Sequence, residues 1–348
     1  VSPRIKVAIS GFGLSGRIFH YQLIAANSLF EVVAVQTTQK DAHLSLPDSV
    51  KICSTYDELL AQHSDVVVIC VPNELHFDYA LKAIQSGRDV VLEKPFVVTS
   101  SDGKKLIEVA QRNGRVLSVF HNRRWDADFL TIKGLIEKGT LGEINHFEAH
   151  FDRFKPVVDQ RWKERPEQLG GGILYDLGSH LIDQAMQLFG RPSRVFADIQ
   201  CQRQNAMQDD YFHMILDMGK TRAILHAGAI VAQPGPRYIV HGSKGSFLKS
   251  GIDPQEHQLK SGLSPNADSF GVESDELAGE LFLVGDSMAT KSRIKSQKGS
   301  YRTYYEELAT AIKSCSLPPV AAESALDVVR VIECARESAR AGKWISLS

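Results

Sequence analysis

The chain is short of several features that would commit it to a particular chemistry. It has five cysteines (Cys53, Cys70, Cys201, Cys315 and Cys334), an odd number, widely spaced and without a C-x-x-C pair. That spacing argues against a disulfide framework and against a cysteine-based metal cluster, and it predicts reduced thiols in a cytoplasmic protein. Charge of one sign is also missing, since 40 basic side chains stand against 41 acidic ones, a formal net charge of −1. No global field therefore draws the chain to nucleic acid or to a membrane surface. No apolar run approaches the length of a membrane span, and the first residues lack the charged-then-apolar layout of an export signal. Internal repeats and low-complexity tracts are absent as well.

What remains is a chain of 348 residues, 43% apolar, long enough to bury two cores. In the first 120 residues, short continuous apolar runs alternate with helical periods. The runs are KVAIS (6–10), EVVAVQ (31–36), VVVICVP (66–72), DVVLEKP (89–95) and RVLSVF (115–120). Helical stretches over Leu14–Asn27, Glu74–Gln85 and Thr99–Asn113 separate them. Strands that are apolar throughout belong to a parallel sheet covered on both faces, so this half is read as a doubly wound α/β Rossmann domain. Beyond residue 120 a helix is expected over Asp126–Lys138, and the strand runs then alternate. They are INHFEAHFDRF (144–154), RVFADIQCQRQ (194–204), YFHMILDM (211–218), RAILHAGAIV (222–231) and RYIVHG (237–242). Alternation predicts a large, mostly antiparallel open sheet with one wet face. Further helices are expected over Leu174–Phe189, Tyr301–Ser314 and Glu323–Ala341, while residues 250–300 read as polar and partly irregular. The expected division is residues 1–121 for dinucleotide binding and 122–348 for substrate binding and oligomerisation, with the C-terminal helix packing back on the first domain.

Two constellations carry chemistry. Strand one runs into GFGLSG, that is Gly11, Phe12, Gly13, Leu14, Ser15 and Gly16, at a strand-to-helix junction. There Gly11 permits the tight turn, Gly13 lets a pyrophosphate approach the backbone, and Gly16 allows close packing of helix on strand. The end of strand two reads QTTQKD (36–41), with no acid at the immediate strand end. A carboxylate there would hold the ribose of NAD, so its absence favours NADP over NAD. Thr37 and Thr38 could bond a 2′-phosphate with Lys40 adding charge, or they could simply cap a loop. The segment VPNELH, after a third strand, offers Pro72, Asn73 and His76 to a cofactor. In DVVLEKPFVV a charged pair, Glu93 and Lys94, breaks an apolar run just before Pro95. A lysine at that sheet edge can exchange a proton near a nicotinamide, with Glu93 beside it as a partner, or it can be an ordinary surface lysine. The second constellation is GGGILYDLGSHLIDQ (170–184), where Asp176 and His180 are four apart and so share a helical face. A carboxylate beside an imidazole suits acid–base work, or it staples the helix; no further ligands are evident for a metal there.

In this order, GFGLSG, EKP and DLGSH resemble the Gfo/Idh/MocA family of NAD(P)-dependent oxidoreductases over essentially the whole chain. VFHNRRWDADF (119–129), HFDRFKP (150–156), YDLGSHLIDQ (175–184) and RYIVHGSKGSF (237–247) resemble its NADP-using branch of inositol and sugar dehydrogenases. The resemblance implies hydride transfer at a secondary alcohol of a cyclic polyol or sugar, without nucleic acid or membrane. It places the catalytic lysine on Lys94 and the catalytic aspartate and histidine on Asp176 and His180. Asn122 and Arg123 are either substrate or cofactor contacts or a domain hinge with structural ion pairs, Tyr175 is expected as a substrate contact, and a homodimer or homotetramer through the C-terminal sheet is expected. Thr38 stands where that branch usually carries an arginine that reads the 2′-phosphate. Arg153, Lys155 and Arg161 are either polyol contacts or solvated charges. His20, His213 and His226 read as structural, and Asp209 and Asp210 as turn residues. Two competing readings keep the fold: a redox-assisted glycoside hydrolase that retains its NAD, and a non-catalytic NADP(H)-binding sensor.

Overall fold

In the computed structural model the described residues are 3–158, 164–165, 169–285, 288–314 and 316–347. Arg161 and Cys315 lie outside them. Six strands form the first sheet: β1 (Ile5–Ser10), β2 (Phe30–Gln36), β3 (Lys51–Cys53), β4 (Val66–Ile69), β5 (Asp89–Leu92) and β6 (Leu117–Val119). All pair parallel, in the order β3-β2-β1-β4-β5-β6. This is the doubly wound order, with its switch point between β1 and β4. Val7, Ala8 and Ile9 and the whole of β4 are buried, the outcome expected of strands covered on both faces. The expected helix after β1 opens as wide π-type turns over Ser15–Tyr21 and becomes α-helical only in α1 (Gln22–Ala25). The covering helices continue with α2 (Tyr56–Leu60), α3 (His76–Gln85) and α4 (Ser100–Arg112).

The second sheet has nine strands: β7 (Ile144–His150), β8 (Arg194–Gln200), β9 (Tyr211–Met218), β10 (Thr221–Gly228), β11 (Tyr238–Gly242), β12 (Gly245–Lys249), β13 (Gly279–Val284), β14 (Ala289–Ile294) and β15 (Ile345–Ser346). Their order is β14-β13-β12-β11-β7-β10-β9-β8-β15, antiparallel throughout except for the central β7–β10 pair. One face is buried and the other half-exposed, as alternation requires. The remaining helices are α5 (Ala127–Glu137), α6 (Ser179–Phe189), α7 (Gln255–Lys260), α8 (Tyr301–Ser314) and α9 (Ala322–Ala341). Residues 250–300 are more regular than expected, because they hold α7 and the hairpin β13–β14. β14 is exposed along most of its length and carries no hydrophobic period, so the sequence offered no signal for it.

By packing, the chain forms two compact units. The first comprises residues up to Asn122 together with Gln255–Phe270 and Ser300–Leu326. The second comprises Arg123–Pro254, Gly271–Gly299 and the chain from Asp327 on. The first unit therefore takes in α7 and α8 from far along the sequence, which a division at residue 121 does not anticipate. Tyr301, Tyr304 and Tyr305 of α8 are fully buried there, with Tyr304 donating to Ser118 Oγ (2.8 Å). Among the described residues no helix is long and apolar enough to cross a membrane.

The second unit holds a buried ion pair, Lys249 Nζ to Glu273 Oε1 at 2.8 Å, with 0% and 3% of the two side chains exposed. Ser296 donates to the other Glu273 oxygen (2.5 Å). Removing only the cation strands a buried carboxylate. Lys249→Met should therefore lower the unfolding free energy by about 3–5 kcal/mol in urea denaturation, whereas a loss below about 1 kcal/mol would contradict that role.

Candidate active site

The turn after β1 is shaped by backbone crowding. Gly11 has φ +89°, and a Cβ there would lie 2.5 Å from the Cys70 carbonyl oxygen. A Cβ on Gly16 would fall 2.0 Å from the Gly11 carbonyl oxygen. At Gly13, by contrast, a Cβ would meet nothing within 4 Å. The two outer glycines are thus required by the fold, and open space lies beside the middle one, where a pyrophosphate would need it. Phe12 is buried and meets Tyr21 edge-on, whereas Leu14 is exposed. The Gly11 N–H donates to Gln36 O (3.0 Å), which brings the end of β2 beside the loop. There Thr37 is buried and its hydroxyl accepts from the Gln39 N–H (3.1 Å), a local turn bond. Thr38 and Lys40 are exposed, with no carboxylate at the strand end. These residues fit a dinucleotide, and they leave Thr38 and Lys40 as the side chains available to a 2′-phosphate.

Glu93, just past β5, is the hub of this end of the sheet. Its carboxylate accepts from Ser15 Oγ of the glycine loop and from the Lys94 N–H (2.9 Å). It also meets His20 Nε2 at 3.1 Å. His20 is fully buried, stacks against Phe120 at 4.2 Å, and places Nδ1 2.5 Å from the Tyr305 hydroxyl of α8. Burial would raise the Glu93 pKa, but the His20 hydrogen bond and charge, with Lys94 and Ser15, outweigh that and hold it down to about 2. Lys94 itself is half-buried, and its peptide bond to Pro95 is cis. Phe96 and Val97 continue the apolar run and are buried, so the charged pair marks a turn within a packed segment.

Other expected contacts are placed differently. Asn73 is buried beside Pro72 at the end of β4. His76 has no exposed surface; its Nδ1 faces Pro95 O (2.9 Å) and its Nε2 faces Val71 O (3.1 Å). Burial lowers its pKa, against the neighbouring Glu93 charge and these carbonyls. His76 thus clamps the two loops together, and direct contact with a cofactor is not its role. A cleft of about 800 Å³ lined by Asp65, Arg88, Asp89 and Arg115 lies at the other ends of the strands, away from the glycine loop.

In the second unit, Asp176 lies in a π-type segment, Leu174–Gly178, that runs directly into α6 and His180. Such wide turns recur at functional sites. Asp209, read from sequence as a turn residue, anchors this segment. Its Oδ2 accepts from the Leu174 N–H (2.7 Å) and its Oδ1 from Arg336 Nη2 (2.7 Å). Its neighbour Asp210 holds Arg203 Nε at 2.9 Å. The Arg336 guanidinium lies 5.1 Å from the Tyr175 ring centre, and burial pushes the Tyr175 phenol up. Asp176 lies 3.9 Å from Arg153, and His180 is 5% exposed. Asn122 is buried at the end of the first unit. In the second, Arg123 pairs with Asp126 (3.2 Å) and covers Phe151, while its carbonyl accepts from Gln184 (2.9 Å). Gln184 also accepts from the Tyr238 hydroxyl (2.8 Å). Arg123 and Tyr175 are therefore engaged by other groups of the protein. Sequence gave no sign of the roles of His20, Tyr305, Gln184, Asp209 and Arg336, because each depends on a partner distant in the chain.

Comparisons with known proteins identify the family. Residues 5–121 match the oxidoreductase family's NAD-binding Rossmann fold, and residues 133–347 match its C-terminal alpha/beta domain. The chain belongs to the Gfo/Idh/MocA family of NAD(P)-dependent oxidoreductases. It is 41% identical over 345 residues to scyllo-inositol 2-dehydrogenase (NADP(+)) IolW of Bacillus subtilis (strain 168), covering 99% of this chain and 96% of that one. A D-glucoside 3-dehydrogenase of Escherichia coli (strain K12) is 30% identical over 55% of this chain and 56% of its own. An oxidoreductase structure, yvaA from Bacillus subtilis, superposes with a TM-score of 0.97 at 41% identity, covering 100% of this chain and 99% of that one.

The Glu93 hub yields a pH-dependent expectation. A folded pKa of about 2 against an ordinary 4.5 means stability that is complete above about pH 4.5 and is lost as pH falls towards 2. Glu93→Gln should cost at most roughly 3 kcal/mol at neutral pH. The gap between wild type and variant in urea denaturation should close as the pH drops through that window. A gap that stays constant with pH would rule out the charged hub.

Proposed function

We propose that the chain transfers a hydride between NADP(H) and a secondary alcohol or ketone of a cyclic polyol or sugar, with an inositol and its ketone as the first choice. The observation that carries this reading is the full-length similarity to an enzyme named for scyllo-inositol and NADP. The exposed Thr38 and Lys40 at a strand end without a carboxylate support the choice of NADP.

When bound, the nicotinamide supplies the hydride acceptor or donor. The proton is handled by the chain's own groups. In the oxidative direction the hydroxyl gives up its proton as the hydrogen on carbon leaves with its electron pair, and a ketone forms. Lys94 and His180 share this task, one removing the proton and the other polarising the oxygen. Asp176 orients substrate hydroxyls or the imidazole, with Arg153 3.9 Å away. A homodimer or homotetramer through the open face of the large sheet completes the reading. Half-exposed Ile215, Ile224, Ile239, Leu248 and Phe282 lie on that face. A monomeric mass in light scattering would overturn the assembly.

Reduced-nicotinamide absorbance with NAD and NADP in parallel, across scyllo-inositol, myo-inositol, glucose and glucosides, tests the activity. Turnover with NADP on an inositol is expected, and Lys94→Met should lower kcat by about 10²–10⁴-fold with dinucleotide binding retained. Turnover with NAD alone would overturn the NADP preference. Oxidation of glucosides but not inositols would move the substrate to the second named relative's class. Retained cofactor with no turnover on any substrate would sink the dehydrogenase reading.

A further inference from the structure

On the open face of the large sheet, β7 and β10 run parallel with His150 and His226 in register. Both side chains therefore leave the same face, with ring centres 5.5 Å apart. Two residues beyond His150 the alternation returns Asp152 to that face. Phe151, between them, turns inward beneath Arg123 and Arg237. Asp152 Oδ1 lies 3.3 Å from His226 Nε2, and Oδ2 lies 3.9 Å from His150 Nδ1. One ligand atom from each of His150, Asp152 and His226 falls within 4.8 Å of the other two.

The surroundings orient these groups. The Gly228 N–H donates to Asp152 Oδ1 (3.1 Å) and fixes the carboxylate. Glu148, on the same strand face, takes His150 Nε2 at 2.9 Å and His146 Nε2 at 2.7 Å. A carboxylate that accepts the Nε2 proton of His150 leaves the lone pair on Nδ1, which faces the Asp152 carboxylate. In that tautomer the space between Nδ1 and the carboxylate is filled by a proton or by a metal ion. A carboxylate–histidine pair behind a ligand nitrogen is also how metal-bound imidazoles are commonly held. Tetrahedral ligands about 2.0–2.1 Å from a zinc-sized ion stand roughly 3.3 Å apart; the His226–Asp152 separation of 3.3 Å matches this, and the His150–Asp152 separation of 3.9 Å must shorten on binding.

We propose that His150, Asp152 and His226 form a binding site for a divalent first-row transition ion of the zinc class, held by Nδ1, a carboxylate oxygen and Nε2. Two imidazoles and one carboxylate suit such an ion better than magnesium or calcium, which prefer all-oxygen sites. Glu148 is the outer partner that orients His150, and all of these groups come from one chain. The site lies on the opposite face of the sheet from the buried Phe151, and none of its residues is among those proposed for proton transfer.

Chelator-treated full-length protein titrated with Co²⁺ and Zn²⁺ tests the proposal. One equivalent of Co²⁺ per chain should bind in the micromolar range or tighter, with a visible ligand-field band that Zn²⁺ abolishes. Proton NMR of the Co²⁺ form should show two shifted imidazole N–H signals, from His150 and His226, a readout on the wild type that does not depend on any variant folding. Asp152→Asn and His226→Gln should each weaken binding by at least about tenfold, and His241→Gln on the same face should not. No stoichiometric binding, fewer than two shifted imidazole signals, or equal affinity in wild type and folded Asp152→Asn would overturn the site.

Discussion

The carboxylate of Glu93 is the interaction on which the dinucleotide end of the first unit depends. It joins the glycine loop through Ser15, the following helix through His20, and the catalytic candidate through the Lys94 N–H. Tyr305 backs His20 from a helix more than two hundred residues further along the chain. A buried charge is costly when alone and strong when fully bonded. One ionised group can therefore set the position of the phosphate-binding turn and of the lysine together.

The second unit applies the same economy to a different segment. Asp209 receives the Leu174 N–H and the Arg336 guanidinium, and so fixes the entry of the helix that carries Asp176 and His180. Gly172 is held to its conformation by the same carboxylate, since a Cβ there would meet Asp209 Oδ1 at 2.5 Å. In each unit a residue of the proposed chemistry, Lys94 in the first and Asp176 in the second, stands on a short segment tied down by a buried acid that does not itself react. Rigid support behind a reactive group is what acid–base chemistry needs.

Family membership settles the fold and the cofactor class, while substrate choice rests on the side chains around the reacting carbon. Related enzymes in this family are named for an inositol and for a glucoside. Thr38 and Lys40 give a neutral hydroxyl and a flexible cation where an arginine would give a rigid fork. Under the proposed NADP reading, the two side chains would recognise a phosphate by a different physical means.

The doubly wound sheet was legible because its strands are apolar without interruption, and the antiparallel sheet because its strands alternate. GFGLSG was legible because its spacing carries a mechanism, whereas EKP and DLGSH left functional and structural readings open and took their assignment from the family resemblance. The short edge strand β3 and exposed β14 were not, since neither shows a hydrophobic period. His76 read as a cofactor contact until its burial showed both ring nitrogens facing carbonyls. His20 read as structural and Asp209 as a turn residue because their partners are remote in sequence. His226 read as structural, and only the parallel register of β7 and β10 sets it beside His150 and Asp152. By itself, then, the sequence determined the local periods and the motifs, which depend on near neighbours. The tertiary structure alone decided which buried charges meet, because burial and pairing arise only when distant segments pack together.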